Sequence, residues 1–238
     1  MPRKHLIASQ TNKKQQNQAK LWQKLAREIK AAVNVGGPNI EANPRLKAAV
    51  AKALANNLSR DSINKNINGV NSDKESLENY EYEAYGPNGL QIIIGVLTNN
   101  SNRSASNIRG YLSKLGGQMA KPNAVKAFFE NKGYIIVSKE NNFNVSADSL
   151  LEQTMEFNIL DIVEQEDCFE IYTDPNDYYK VVDTLKNNNI NLHSFDLKLF
   201  PMSSIDNIGD LTEKYERFME SCENDEDIQW VVTNYEQN

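Results

Sequence analysis

Between Leu97 and Gly110 the chain reads LTNNSNRSASNIRG, directly after the apolar run GLQIIIGV. A buried strand that empties into Asn99, Asn100, Ser101, Asn102, Arg103, Ser104 and Ser106 offers more polar groups than a turn requires. At the start of a helix, exposed backbone N–H groups, amide side chains and a guanidinium compose an anion corner suited to phosphate. Such a corner positions a nucleic-acid backbone, because nothing in it reads a base. Helix capping is the competing reading, with Ser104 or Ser106 as the cap. Capping leaves Arg103 unexplained, since a cation at a helix N-terminus opposes the dipole. Either a ligand anion sits there, with Asn99 and Asn102 as further donors, or Arg103 is tied to an internal carboxylate from the acidic C-terminal segment.

The second concentration of chemistry lies in the first third of the chain. Residues 1–70 hold 13 Lys and Arg against Glu28, Glu41 and Asp61, a net of +10, whereas residues 71–238 sum to −16. The overall net charge of −6 hides this asymmetry, which points to a polyanion partner for the basic end. The alternative is that the basic region complements the acidic remainder inside the fold. From Gln10 to Val35 nothing interrupts a helix, and Gly36-Gly37-Pro38 ends it. At about 100° per residue, Lys20, Lys24 and Arg27 fall within roughly 40° of Lys13. Leu21, Leu25, Ile29 and Val33 fall at about 80–200°, so one stripe faces a core and the other presents cations to solvent. Lys13, Lys14, Lys20, Lys24, Arg27 and Lys30 are therefore candidate phosphate contacts. Asn43-Pro44 reads as a cap and first residue of a second helix, with Leu46, Val50 and Leu54 apolar and Arg45, Lys47 and Lys52 elsewhere. A third, from Ser59 to Gly69, adds Arg60 and Lys65.

Other chemistries find little support. His5 and His193 are the only imidazoles, neither near a Ser or Cys motif, and G-x-S-x-G, Walker and H-E-x-x-H patterns are absent. The reading is a non-enzyme without cofactor or metal. The run ENDED (Glu223–Asp227) lacks calcium-loop spacing and reads as a solvated loop. Cys168 and Cys222 form no C-x-x-C pair, which excludes a zinc or redox motif. Without a signal-peptide core or an eighteen-residue apolar run, the chain reads as cytoplasmic, with no membrane partner.

These sites need elements to hold them. Three helices with short connections read as a bundle over 1–79, whose last stretch, 69–79, is a linker. NYEYEAYG alternates, with Tyr80, Tyr82 and Ala84 on one face and Glu81 and Glu83 on the other. GPNG then turns the chain into LQIIIGVL, giving a hairpin followed by a helix from Ser104 to Leu115. From 134 the order is strand, helix (147–157, with Leu150, Leu151 and Met155), two strands, helix (Asp174 as cap, Pro175 first) and strand. That βαββαβ order is ferredoxin-like. A helix at 211–222 and the strand IQWVVTNY close the chain.

EANPRLKAAVAKALANN, SRDSINKNI, YEAYGPNGLQIIIGVLTNNSNRSASNIRGYLSKLGG, FFENKG, YTDP and DEDIQWVVTNYE together resemble the YebC/PmpR family. The resemblance runs from about residue 11 to the end and is strongest over 82–117. Its mitochondrial members are translational activators of cytochrome c oxidase. It implies an α+β multidomain fold: the bundle (1–79), an α+β middle domain (80–133 plus 205–238) and an inserted ferredoxin-like α+β domain (134–204). It also implies a nucleic-acid-binding regulator of gene expression, a DNA-binding transcriptional regulator in most descriptions. The alternative is a ribosome-associated translation factor on rRNA and tRNA. A third expectation, of another class, is a protein-interaction adaptor using the acidic domains. Where the family commonly has Thr-Asp-Asn, this chain has Thr98-Asn99-Asn100, which makes the corner friendlier to phosphate.

Overall fold

The structure, a computed structural model, describes residues 3–69 and 77–236, the first fifteen of them by backbone alone. Helix α1 spans Arg3–Gly36, starting earlier than the periodicity indicates, and α2 (Pro44–Ala55) and α3 (Arg60–Asn68) fold back on it. One side chain joins the first two. Asn43 caps α2, its Oδ1 accepting from the Leu46 N–H at 3.1 Å, while its Nδ2 donates to the Ala32 and Gly37 carbonyls. Gly36 permits this, since a Cβ there would lie 2.6 Å from the Asn43 amide.

The bundle core is Leu25, Ile29, Val33, Leu46, Ala49, Ala53, Ile63 and Ile67. Leu21 and Leu54 were expected in it and are instead 39% and 40% exposed. Each sits at the flank of its stripe, and Ala49 and Ala53 bring the helices close enough to leave Leu54 outside. Residues 70–76 of the expected linker lie outside the described residues, and Gly69 closes α3 with a right-handed φ of −76°.

Strands β1 (Glu78–Tyr85) and β2 (Gln91–Thr98) form the expected hairpin, in register from Glu78↔Thr98 to Tyr85↔Gln91. Helix α4 (Ser101–Leu115) and the short β3 (Gln118–Met119) follow. Tyr80, Tyr82 and Ala84 face the core as the alternation predicts. Glu83 does not face solvent: it is 8% exposed and accepts the backbone N–H groups of Asn123, Val125 and Lys126 at 2.6–2.8 Å. Burial alone would raise its pKa; those three bonds and the Lys126 charge outweigh it and hold the carboxyl below its ordinary value.

A separate compact unit, Ala127–Ser204, is inserted here. Its elements are β4 (Phe129–Ser138), α5 (Ala147–Thr154), β5 (Ile159–Glu164), β6 (Cys168–Thr173), α6 (Tyr178–Asn187) and β7 (Leu192–Pro201). The antiparallel sheet has the order β5-β6-β4-β7, with the helices over Ile135, Val137, Phe169 and Ile171. Two expectations are corrected. The helix read over 147–157 ends at Thr154, with Leu150 and Thr154 buried and Leu151 and Met155 exposed. Helix α6 starts after Asp177, not Asp174, because the Asp174 carboxylate accepts the Asn176 N–H and its carbonyl the N–H groups of Asp177 and Tyr178, winding a turn through Pro175.

The chain then returns to the first unit through α7 (Thr212–Asn224) and β8 (Ile228–Thr233). Strand β8 pairs with β2, completing an antiparallel sheet of order β3-β1-β2-β8. Helices α4 and α7 cover one face, packing Ile108, Leu112, Phe218 and Cys222 on Ile92, Ile94 and Val96. The fold is α+β and multidomain: three N-terminal helices, then two antiparallel sheets.

Candidate functional site

Strand β8 is fixed against β2 at Gly95, where a Cβ would fall 2.1 Å from the Trp230 indole. A register shift at Gly95/Val96 follows, and the Leu97 N–H donates to the Asp227 carbonyl at 2.8 Å. Asp227, the residue before β8, thus lies at the mouth of α4.

Its side chain is 5% exposed and meets five donor atoms. Arg27 Nη2 donates to Oδ1 at 2.7 Å. On Oδ2 converge Arg103 Nη2 at 2.7 Å and Nε at 3.3 Å, Ser104 Oγ at 2.9 Å and Thr98 Oγ1 at 3.0 Å. Burial works against the ionised form of Asp227, but the bonds from Arg103, Ser104 and Thr98 and the Arg103 charge prevail and lower its pKa. Arg103, anomalous at a helix N-terminus, therefore has an internal carboxylate against it. Asn99 Oδ1 accepts from the same guanidinium at 3.2 Å, while Asn102 stays exposed. The cap of α4 is Asn100, whose Oδ1 accepts the Arg103 N–H at 3.0 Å, and not Ser104 or Ser106. Ser104 is buried and spends its hydroxyl on Asp227 and the Asn100 carbonyl.

Beside Asp227, Asp225 accepts from Asn107 at 3.1 Å, Tyr111 at 3.0 Å and the Asp227 N–H at 2.9 Å. Burial and that bond push the Tyr111 phenol up to about 12. An open cavity of about 610 Å³ lies here, lined by Arg27, Lys30 and Asn34 of α1, by Asn99, Arg103, Asn107 and Tyr111, and by Asp225, Glu226 and Asp227. Its walls carry both signs of charge, a lining for a polar or charged ligand.

The ENDED run is therefore not a uniformly solvated loop. Asp225 and Asp227 are built into the fold, and only Glu223 and Glu226 of its acids are exposed. The residues that sequence reasoning missed here are Asp225, Asp227, Thr98 and Ser104. Their signal was the unexplained Arg103 and the i, i+2 spacing of the two aspartates entering a strand.

Family models match nearly the whole chain: the TACO1/YebC protein N-terminal domain over residues 2–73, and the TACO1/YebC second and third domain over residues 77–235. The chain belongs to the TACO1/YebC family. Among its relatives, a protein of Ureaplasma urealyticum serovar 10 is 50% identical, covering 100% of this chain and 99% of its own. One of Mycoplasmoides gallisepticum is 53% identical over 98% and 99%. Both carry the name "probable transcriptional regulatory protein". A crystal structure of a conserved hypothetical protein from Aquifex aeolicus superposes with a TM-score of 0.77 at 32% identity, covering 92% and 90% of the two chains.

In this TACO1/YebC chain the basic stripe of α1 does not simply face solvent. Lys20 donates to Asn224 Oδ1, and Arg27 pairs with Asp227 and, at 3.7 Å, with Glu226. Arg27 also donates to the Leu97 carbonyl at 3.1 Å, and its Nε is buried with no hydrogen-bond partner among the described residues. Lys24 is desolvated, which lowers its pKa against the opposing pull of Glu223, Cys222 and Asp225. The helical wheel placed these cations together; it held no information about an acidic segment 200 residues away.

The cations of α2 and α3 are placed differently. Arg45, Lys47, Lys52, Arg60 and Lys65 are all exposed. Lys47 meets Glu41 at 3.3 Å and Lys52 meets Glu28 at 3.5 Å, surface pairs worth about 0–1 kcal/mol. The side chains of Lys13 and Lys14 lie outside the described residues. Among the described residues no helix is long and apolar enough to cross a membrane, and no three His, Cys, Asp or Glu converge as a metal site.

Proposed function

We propose that this chain is a nucleic-acid-binding regulator of gene expression whose helical bundle holds the phosphate backbone. The observation that carries the reading is the net +10 on residues 1–70 of a chain that is otherwise acidic, with Arg45, Lys47, Arg60 and Lys65 standing in solvent on α2 and α3. Exposed cations on a rigid helical surface bind polyanions by releasing counterions, without reading bases. Lys13, Lys14 and Lys30 add to the same field. Arg103 and Asn99 belong to the Asp227 network, so their part is to fix the site's shape. The relatives' name points to transcription and hence to duplex DNA as the partner, and RNA is the second probe of the test.

The test is binding of the full chain to mixed-sequence duplex DNA and single-stranded RNA across a salt series. Log affinity should fall linearly with log salt, at roughly 0.9 per duplex phosphate contacted. Changing Arg45, Arg60 and Lys65 together to Gln should flatten the slope by about one unit per lost contact. Binding that ignores salt, or ignores the triple change, overturns the reading.

A further inference from the structure

The stripe on α1 and the segment that leaves α7 are a cation row facing an anion row. Lys20, Lys24 and Arg27 stand at i, i+4 and i+7. Against them run Glu223, Asn224, Asp225 and Glu226, with Lys20 on Asn224, Arg27 on Glu226, and Lys24 lining the same cavity as Glu223. The two rows do not close on one another. A cavity of about 260 Å³ remains, bounded by Lys20, Lys24, Arg27 and Lys30 on one side and Glu223, Asn224 and Glu226 on the other. Apolar cores are close-packed; this contact is polar and open.

The row is not equally strong along its length. Asp227 is buried and carries Thr98, Ser104 and Arg103 besides Arg27, so it stays in place whatever Arg27 does. Glu226 is 73% exposed and 3.7 Å from its partner, and Glu223 is exposed as well. Exposed pairs of this kind contribute little. A carboxylate and a phosphate accept from the same guanidinium and ammonium donors, the guanidinium presenting both with the same fork. A polyanion brings counterion release that one carboxylate lacks.

We propose that the acidic segment Glu223–Glu226 is an intramolecular competitor for the nucleic-acid backbone: its carboxylates stand beside Lys20, Lys24 and Arg27 where phosphate would sit, and the bound polyanion displaces Glu223 and Glu226 while Asp227 remains anchored and keeps its bond to Arg27. This rests on the reading of the bundle as a phosphate-binding surface. It gives the acidic segment a regulatory role, since cations that the segment holds are withheld from weak, nonspecific contacts and released to a polyanion that engages the rest of the bundle.

The experiment compares the full chain with Glu223→Gln/Glu226→Gln and with a control of equal net charge, Glu216→Gln/Glu220→Gln, on the exposed side of α7. Each is titrated with labelled mixed-sequence duplex DNA and single-stranded RNA over a salt series. Removing the competitor should tighten binding about tenfold at low salt and steepen the salt slope by one to two units, as freed cations neutralise further phosphates. The control should gain much less. The variant should melt with wild type, because both changed side chains are exposed. Equal gains in the two variants, or none in the first while the wild type binds, overturn the inference and leave the nucleic-acid reading standing. If neither the wild type nor any variant binds either probe at low salt, the reading falls and takes the inference with it.

Discussion

Two groups of cations on one small bundle meet opposite fates. Lys20, Lys24 and Arg27 of α1 are half-buried against the acidic segment that follows α7, whereas Arg45, Lys47, Arg60 and Lys65 of α2 and α3 stand in solvent. The residue types are the same, so composition does not separate them. What separates them is a partner distant in sequence, and with it the energy at stake. A cation in solvent costs almost nothing to remove. A cation that completes the coordination of a buried carboxylate leaves that carboxylate underserved when it goes.

The sharpest way to break this comparison is at the shared acceptor. Asp227→Ala leaves Arg27 and Arg103 facing each other without a carboxylate and takes one acceptor from each of the hydroxyls of Thr98 and Ser104. We expect a loss of about 3 kcal/mol, the lower end for one-sided removal of a buried pair, because both guanidiniums keep some access to water. Denaturant unfolding measures it. A loss below about 0.5 kcal/mol, the range of ordinary surface changes, would mean that the network is ornamental.

The same contrast explains what could be read from the sequence. The bundle, the hairpin and the βαββαβ unit were legible because each rests on local pattern: capping at Asn43, alternation in β1, turn residues at 86–89. That the compact unit Ala127–Ser204 interrupts the other was not legible from pattern, since periodicity says nothing about which strands return to which sheet. Within the site, Arg103 was legible as an anomaly and Asp227 only as a possible answer to it, because pairing across 124 residues leaves no local trace. Glu83 and Lys24 failed for the same reason. Strict alternation and helical periodicity assign a face, but whether that face meets water depends on what folds over it: the 123–126 loop for Glu83, the α7 exit for Lys24.

A smaller effect separates the two cation groups directly. Arg27→Gln removes the bonds to Asp227 and to the Leu97 carbonyl, and should cost about 1.5–3 kcal/mol, the usual worth of hydrogen bonds to a charged group. Arg45→Gln should stay within about 0.5 kcal/mol. Equal costs in the two variants would place Arg27 with the solvent-exposed group and dissolve the distinction.

The finest test is the acid limb of stability. Asp227 is held below its ordinary pKa, as is Glu83. Between that lowered value and the unfolded value of about 3.9 for Asp, the unfolded chain binds more protons than the native one. Stability therefore rises with pH through this window. The contribution is fully present above the unfolded value and is lost as pH falls through the folded one. Asp227→Asn keeps the shape of the side chain but cannot ionise, so its cost relative to wild type should be full near neutral pH and should shrink toward pH 2. Glu83→Gln should behave in the same way, although its donors are backbone N–H groups and not guanidiniums. Unfolding titrations of the three proteins from pH 2 to 7 read this directly. A cost for Asp227→Asn that does not change with pH would show that Arg27 and Arg103 engage Asp227 through shape and neutral hydrogen bonding alone. The two groups of cations would then differ in geometry and not in charge.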